Sequence, residues 1–174
     1  MFHTEHCVTI DAPIQYVYDV LADVEGYAKL FPPTQAVTLL EVGPDYQIAK
    51  LVVEVSGQIQ SWTTRRDLDV VHRIIRYQQL QTAPLLDHMG GEWRCFQLRG
   101  EQTQLVITHD FAVRTAVNGL VLGQYTPEQA EEMVRGAVER NSAADLDAVK
   151  KEAERCVLSI KDADAPPLPL SSQI

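Results

Sequence analysis

The chain has few cations: 15 Lys plus Arg stand against 24 Asp plus Glu in 174 residues, a net charge of -9. Non-specific binding to a phosphate backbone needs a cationic face, so no nucleic-acid partner is expected. No apolar run approaches the roughly 20 residues that a membrane-spanning helix requires, so no membrane partner is expected either. The opening Met1-Phe2-His3-Thr4-Glu5-His6-Cys7 lacks the basic and then apolar regions of a secretory leader. Cysteine is scarce. Cys7, Cys95 and Cys156 lie far apart and outside any Cys-x-x-Cys pair, which fits reduced thiols and a cytoplasmic location. Also missing are a phosphate loop, a Gly-x-Gly-x-x-Gly turn, a Gly-x-Ser-x-Gly elbow and a His-Glu-x-x-His helix. His3, His6 and Cys7 have no carboxylate at ligand spacing beside them, so neither a metal nor a cofactor is expected.

What is present is one domain's worth of alternating patterns. Thr4 to Ile10 reads as a strand, ended by Asp11-Ala12-Pro13; Pro13 suits a first helical turn and Asp11 is placed to cap it. Val17, Val20, Leu21 and Val24 then recur at helical spacing, Tyr27 to Phe31 makes a short helix, and Pro32-Pro33 stops it. Apolar alternation broken by turn residues predicts strands near 35–42, 46–55, 58–68, 71–81, 91–99 and 103–113, with Gly90-Gly91 as a strand-entry turn or bulge. Short connections imply an antiparallel meander, and seven strands in one sheet favour curling. Thr126-Pro127-Glu128-Gln129 is a capping box that opens a helix running to about Ile160. The expected fold is α+β: a curved antiparallel sheet gripping a long C-terminal helix. The domain spans 1–160, and the proline-bearing tail 161–174 is expected to be disordered.

Periodicity also picks out polar residues that point inward. In the strand at 58–68, Trp62, Thr64, Arg66 and Leu68 share a face, so Arg66 is either aimed at the interior or bent back to solvent at the strand end. In the strand at 103–113, His109 lies in the stripe Leu105, Ile107, Phe111 and Val113, where an isolated histidine is ordinarily a satisfied core residue. On the long helix, Asn141 and Asp145 interrupt the stripe Ala130, Val134, Ala137, Val138, Ala148, Val149 and Cys156. They form either a structural pair bonded to the sheet or the lining of a wet cavity. A cation, an imidazole and a carboxylate on elements that must pack together are the default active-site hypothesis for such a cavity.

The stretches His6–Pro13, Leu21–Tyr27, Phe31-Pro32-Pro33, Trp62–Asp69, Gly91–Arg94, Thr108–Phe111 and Glu139–Leu146 resemble the single-domain aromatase/cyclases of bacterial type II polyketide synthases. The likeness covers about residues 3–158 and is greatest to the subgroup that closes the first ring of a nonreduced polyketide. It implies a START/Bet v1-like helix-grip fold with an internal cavity. It implies as partners the minimal polyketide synthase and an acyl carrier protein bearing a poly-β-ketone. The implied reaction is first-ring aldol closure between carbons 7 and 12, then dehydration and aromatisation. Relatives place an arginine, an aromatic and a helix carboxylate at the positions of Arg66, Trp62 and Asp145. First-ring enzymes have a histidine at the position of His109, where other members carry glutamine.

The expected catalytic groups are therefore Arg66, to hydrogen-bond a carbonyl, His109, to shuttle protons, and Asp145, to orient His109 or a water and to balance Arg66. Trp62, Phe31, Trp93, Phe111 and Asn141 are expected to contact substrate. Arg65, Arg73, Arg76 and Arg94 are candidates for a basic rim that meets the carrier protein. The competing expectation is a non-catalytic lipid or quinone carrier of the same fold.

Overall fold

The alternating stretches do form strands, and their single-sided burial sets the curvature of the whole sheet. The structure is a computed structural model that describes residues 1–163. Its order is β1 (Phe2–Ile10), α1 (Ile14–Ala22), a 3-10 turn (Val24–Gly26), α2 (Tyr27–Leu30), β2 (Thr34–Val42), β3 (Tyr46–Val55), β4 (Gln58–Asp69), β5 (Ile74–Gln81), β6 (Leu86–Gln97), β7 (Thr103–Val113) and α3 (Pro127–Ala163). One seven-stranded sheet runs β1-β7-β6-β5-β4-β3-β2, antiparallel throughout. Register shifts at Thr34/Ala36, Leu39/Glu41, Thr63/Thr64 and Leu86/His88 bend and twist the strands, which deepens the concave face. Helix α3 lies against β1, β7 and α1. Its Leu146, Val149 and Ala153 enter a core with Ile10, Leu21 and Leu105. Two to three turns earlier, Val138 and Val134 close a smaller cluster around Met89 and Phe111.

Several boundaries differ from the sequence reading. Strand β5 starts at Ile74 instead of residue 71, because Val70–Arg73 forms a turn in which Asp69 accepts from the His72 amide at 3.0 Å and Arg73 takes φ +58°. Strand β6 starts at Leu86 instead of 91, with Gly90 and Gly91 inside it and paired on both sides. Asp11 does not cap α1: its carboxylate accepts from Gln102 at 2.6 Å, and its backbone amide donates to Glu154 at 2.9 Å. The Thr126–Gln129 box does form, with reciprocal amide-to-side-chain bonds of 3.2 and 3.0 Å. Helix α3 continues through Ala163, and the rest of the expected tail, 164–174, lies outside the described residues. Among the described residues no helix is long and apolar enough to cross a membrane.

Candidate active site

Strand register assembles the site. Gln47 on β3 pairs with Arg66 on β4, Arg66 with Tyr77 on β5, Tyr77 with Gly91 on β6, Gly91 with His109 on β7, and His109 with Thr4 on β1. One row of residues thus crosses six strands on the concave face, nearly all of it polar. Gly91 is the gap in the row. Its φ is +154°, and a Cβ there would lie 2.0 Å from the Thr108 carbonyl oxygen and 2.9 Å from the Tyr77 hydroxyl. Through that gap the Tyr77 hydroxyl donates to the Thr108 carbonyl at 2.7 Å. The Tyr77 and His109 rings then meet edge to face, centroids 5.9 Å apart. Burial, and after it the Asp145 carboxylate, holds the Tyr77 hydroxyl well above the ordinary phenol range, so it stays a neutral donor.

Arg66 is 3% exposed and does not bend back to solvent. Its Nη1 donates to Gln47 Oε1 at 2.6 Å; its Nη2 donates to the Tyr27 hydroxyl at 2.7 Å and to the Leu21 carbonyl. Leu21 belongs to the last turn of α1, whose carbonyls carry the negative end of the helix dipole. Gln47 donates to the next carbonyl, Ala22, at 3.1 Å. The guanidinium charge is thus offset by the C-terminus of α1. The expected balance by Asp145 is corrected: among the described residues Asp145 forms no ion pair with Arg66 and no hydrogen bond with His109 or Asn141. Three of the five guanidinium N–H groups are used, which leaves Nε–H and one Nη1–H for a ligand.

His109 and Asp145 are shifted in opposite directions. Burial first, then the neighbouring His6, depresses His109 to about 4. Burial raises Asp145 to about 7. Near neutrality His109 is therefore a neutral imidazole, and much of Asp145 is a neutral carboxylic acid. A histidine titrating near its ordinary value, ready to give and take protons alike, is not what the structure contains.

These groups line a cavity of about 970 Å³, at the upper end of the ~300–1,000 Å³ typical of small-molecule sites. Of the expected substrate contacts, Trp62, Phe31, Trp93 and Asn141 line it along with Arg66, His109 and Asp145. Phe111 does not. It is fully buried, packed on Phe2 at 5.4 Å between centroids and against Met89, Val134 and Val138, because α3 crosses directly over it. Sequence reasoning missed Tyr27, Gln47 and Tyr77. Tyr77 carried a signal, since Ile75, Tyr77 and Gln79 alternate with Arg76 and Gln78; without the register nothing set it beside His109. The expected basic rim is also corrected. Arg76 and Arg94 face Glu92, Arg65 pairs with Asp67, and Arg73 lies over Tyr18; none lines the cavity. The exposed cation at the cavity is Arg140 on α3, which donates to Ser56 Oγ at 3.2 Å.

A family model described as polyketide cyclase/dehydrase and lipid transport matches residues 10–137. The chain belongs to this family. It is similar to the actinorhodin polyketide synthase bifunctional cyclase/dehydratase of Streptomyces coelicolor, 33% identical over 86% of this chain and 43% of that protein. The granaticin counterpart from Streptomyces violaceoruber is 31% identical over 87% of this chain and 44% of that protein. The chain therefore spans less than half the length of these curated relatives. Among solved structures, the Zhui aromatase/cyclase of Streptomyces sp. R1128 is 57% identical, with a TM-score of 0.88 over 90% of this chain and 95% of that one. This match carries the helix-grip architecture over nine-tenths of the chain.

Proposed function

We propose that the protein is a polyketide aromatase/cyclase that takes a carrier-bound poly-β-ketone into the cavity and closes its first ring, between carbons 7 and 12. The observation that carries this reading is that Arg66, His109 and Asp145 line one cavity, where burial disfavours the charged forms of His109 and Asp145 and so shifts the two in opposite directions. Environments that push two titratable groups apart assign acid and base roles.

Each methylene of the substrate lies between two carbonyls and is already acidic, so the first task is choosing which carbon meets which carbonyl. Apolar walls from Trp62, Phe31 and Trp93 hold one conformation, an orientation effect worth up to ~7–11 kcal/mol in well-aligned intramolecular reactions. The free N–H groups of Arg66 polarise the electrophilic carbonyl and stabilise the alkoxide that forms on it. His109 takes a proton from the attacking methylene, whose carbon bonds to the carbonyl carbon. Asp145 protonates that alkoxide and, once reprotonated from solvent, protonates the resulting hydroxyl, which leaves as water while His109 removes the second proton of the same carbon; transfer of the remaining ring C–H protons to the ketone oxygens completes the aromatic ring. Arg140, with exposed Ile59 and Met133 near the mouth, offers a cationic and apolar landing surface for an acidic carrier protein.

The test is reconstitution of a minimal polyketide synthase with and without the protein, with products identified by mass spectrometry and NMR. The expected result is conversion of a mixture of spontaneous cyclisation products into one first-ring aromatic. An unchanged mixture, with an apolar molecule co-purifying in the cavity, contradicts catalysis and favours a carrier.

A further inference from the structure

Behind His109 lies a second polar group that the reaction above does not use. Thr4 Oγ1, His6 Nδ1 and His109 Nδ1 are all buried and have no hydrogen-bond partner among the described residues. The register places them together. Thr4 is directly opposite His109, and His6, two residues along β1, is opposite Ile107, so its side chain sits diagonally across from His109 on the same face. Phe2 stacked on Phe111, the next pair in the row, shows that the inner faces of β1 and β7 coincide here. An isolated buried polar atom is costly, and one shared water would satisfy all three. The far side of the His6 ring continues the chain: Nε2 lies 2.9 Å from Glu139 Oε2 on α3, and the Glu139 side chain is 71% exposed.

We propose that Thr4, His6 and His109 share one buried water, and that this water with His6 and Glu139 forms a proton path from the cavity to solvent. The inference rests on the cyclase reading for its purpose. Having accepted a substrate proton at Nε2, the nitrogen facing the cavity, His109 releases its Nδ1 proton to the water. The water passes a proton to His6 Nδ1, and His6 gives up its Nε2 proton to Glu139, which exchanges it with bulk water. Each proton that enters at Nε2 drives one proton out at Glu139 and leaves both His109 and His6 neutral with their tautomers reversed; reorientation of the two rings resets them, and the exported proton is matched by the one that Asp145 takes up from solvent. The other ionisable neighbours of His109, His3 and Asp110, are bonded to each other at 2.7 Å and stand outside the chain. His6 and Glu139 are positioning residues: neither touches the substrate.

Two experiments separate this inference from the cyclase reading itself. A high-resolution crystal structure of the full chain is expected to show one ordered water within hydrogen-bonding distance of Thr4 Oγ1, His6 Nδ1 and His109 Nδ1. A dry, apolar contact between the three side chains overturns the path whatever the products are. In the reconstituted synthase, His6→Ala and Thr4→Val are each expected to lower the first-ring product rate at least tenfold. Imidazole added at tens of millimolar is expected to occupy the vacated ring site and restore most of the loss in His6→Ala. Glu139→Gln, which keeps the hydrogen bond but accepts no proton, is expected to lower the rate severalfold with the same rescue. Folded variants that retain wild-type rates, or losses that imidazole leaves untouched, overturn the relay. Should the wild type itself leave the products unchanged, the cyclase reading fails first and the relay loses the proton flow it was proposed to carry.

Discussion

His109 and Asp145 have exchanged the protonation habits of their residue types, and this shapes both chemistry and stability. Asp145 sits in the unfolded chain near 3.8 and in the folded one near 7. Between those values the unfolded chain ionises while the folded one stays protonated, so this residue's contribution to stability falls as pH rises from about 4 to about 7 and stays low above. His109, folded near 4 against an ordinary 6.5, does the reverse: its contribution is lost as pH falls from about 6.5 to about 4. Asp145→Asn is therefore expected to gain on the wild type by about 2 kcal/mol at pH 8 and by almost nothing at pH 4. Three pKa units at ~1.4 kcal/mol each set the upper bound, and cavity water reduces it. Denaturant unfolding at the two pH values checks this. Arg66→Lys keeps a charge but loses the planar fork that joins Gln47, Tyr27 and Leu21. It is expected to cost about 3 kcal/mol and the first-ring product together, read by the same unfolding experiment and by product analysis.

At the scale of elements, strands carry the site and register is what they contribute. Gly91 is the position where β6 must vanish for Tyr77 and His109 to meet across it. Gly91→Ala drives a methyl group into the Thr108 carbonyl. The expected cost is about 3 kcal/mol or more, with loss of the Tyr77–Thr108 hydrogen bond visible as a changed tyrosine environment in near-ultraviolet dichroism. This residue also marks the limit of what alternation reveals. A period of two decides which face a side chain takes, so Arg66, His109 and Trp62 share the inward faces of their strands by local pattern alone, while whether the Arg66 head group stays inside is decided by its partners. It does not say which residues of neighbouring strands become partners, since the bulges at Thr63/Thr64 and Leu86/His88 shift the pairing by tertiary demands. Hence the row itself, and Tyr77 and Gln47 in it, could not be read from sequence. Phe111 shows the same limit from the other side. Its face was legible, but only the path of α3 decides whether that stretch of the face meets the cavity or the helix.

For the whole molecule, a net charge of -9 repels an acidic partner at long range, so any carrier docking depends on the local field at the mouth. Arg140→Glu is expected to lower kcat/KM for the carrier-bound substrate about tenfold, mostly through KM, while thermal stability changes little. A free, untethered polyketide mimic is expected to bind the variant as well as the wild type, as read by calorimetry. The account as a whole stands on Asp145 acting as the acid and a neutral His109 as the base within one cavity. The direct measurement is the fraction of first-ring aromatic product formed between pH 5 and 9 by the wild type beside Asp145→Asn. A plateau at the acid end, falling through about pH 7 and abolished in the variant, is the predicted result. A wild-type profile that instead rises through pH 6–7, or one that Asp145→Asn leaves in place, contradicts it.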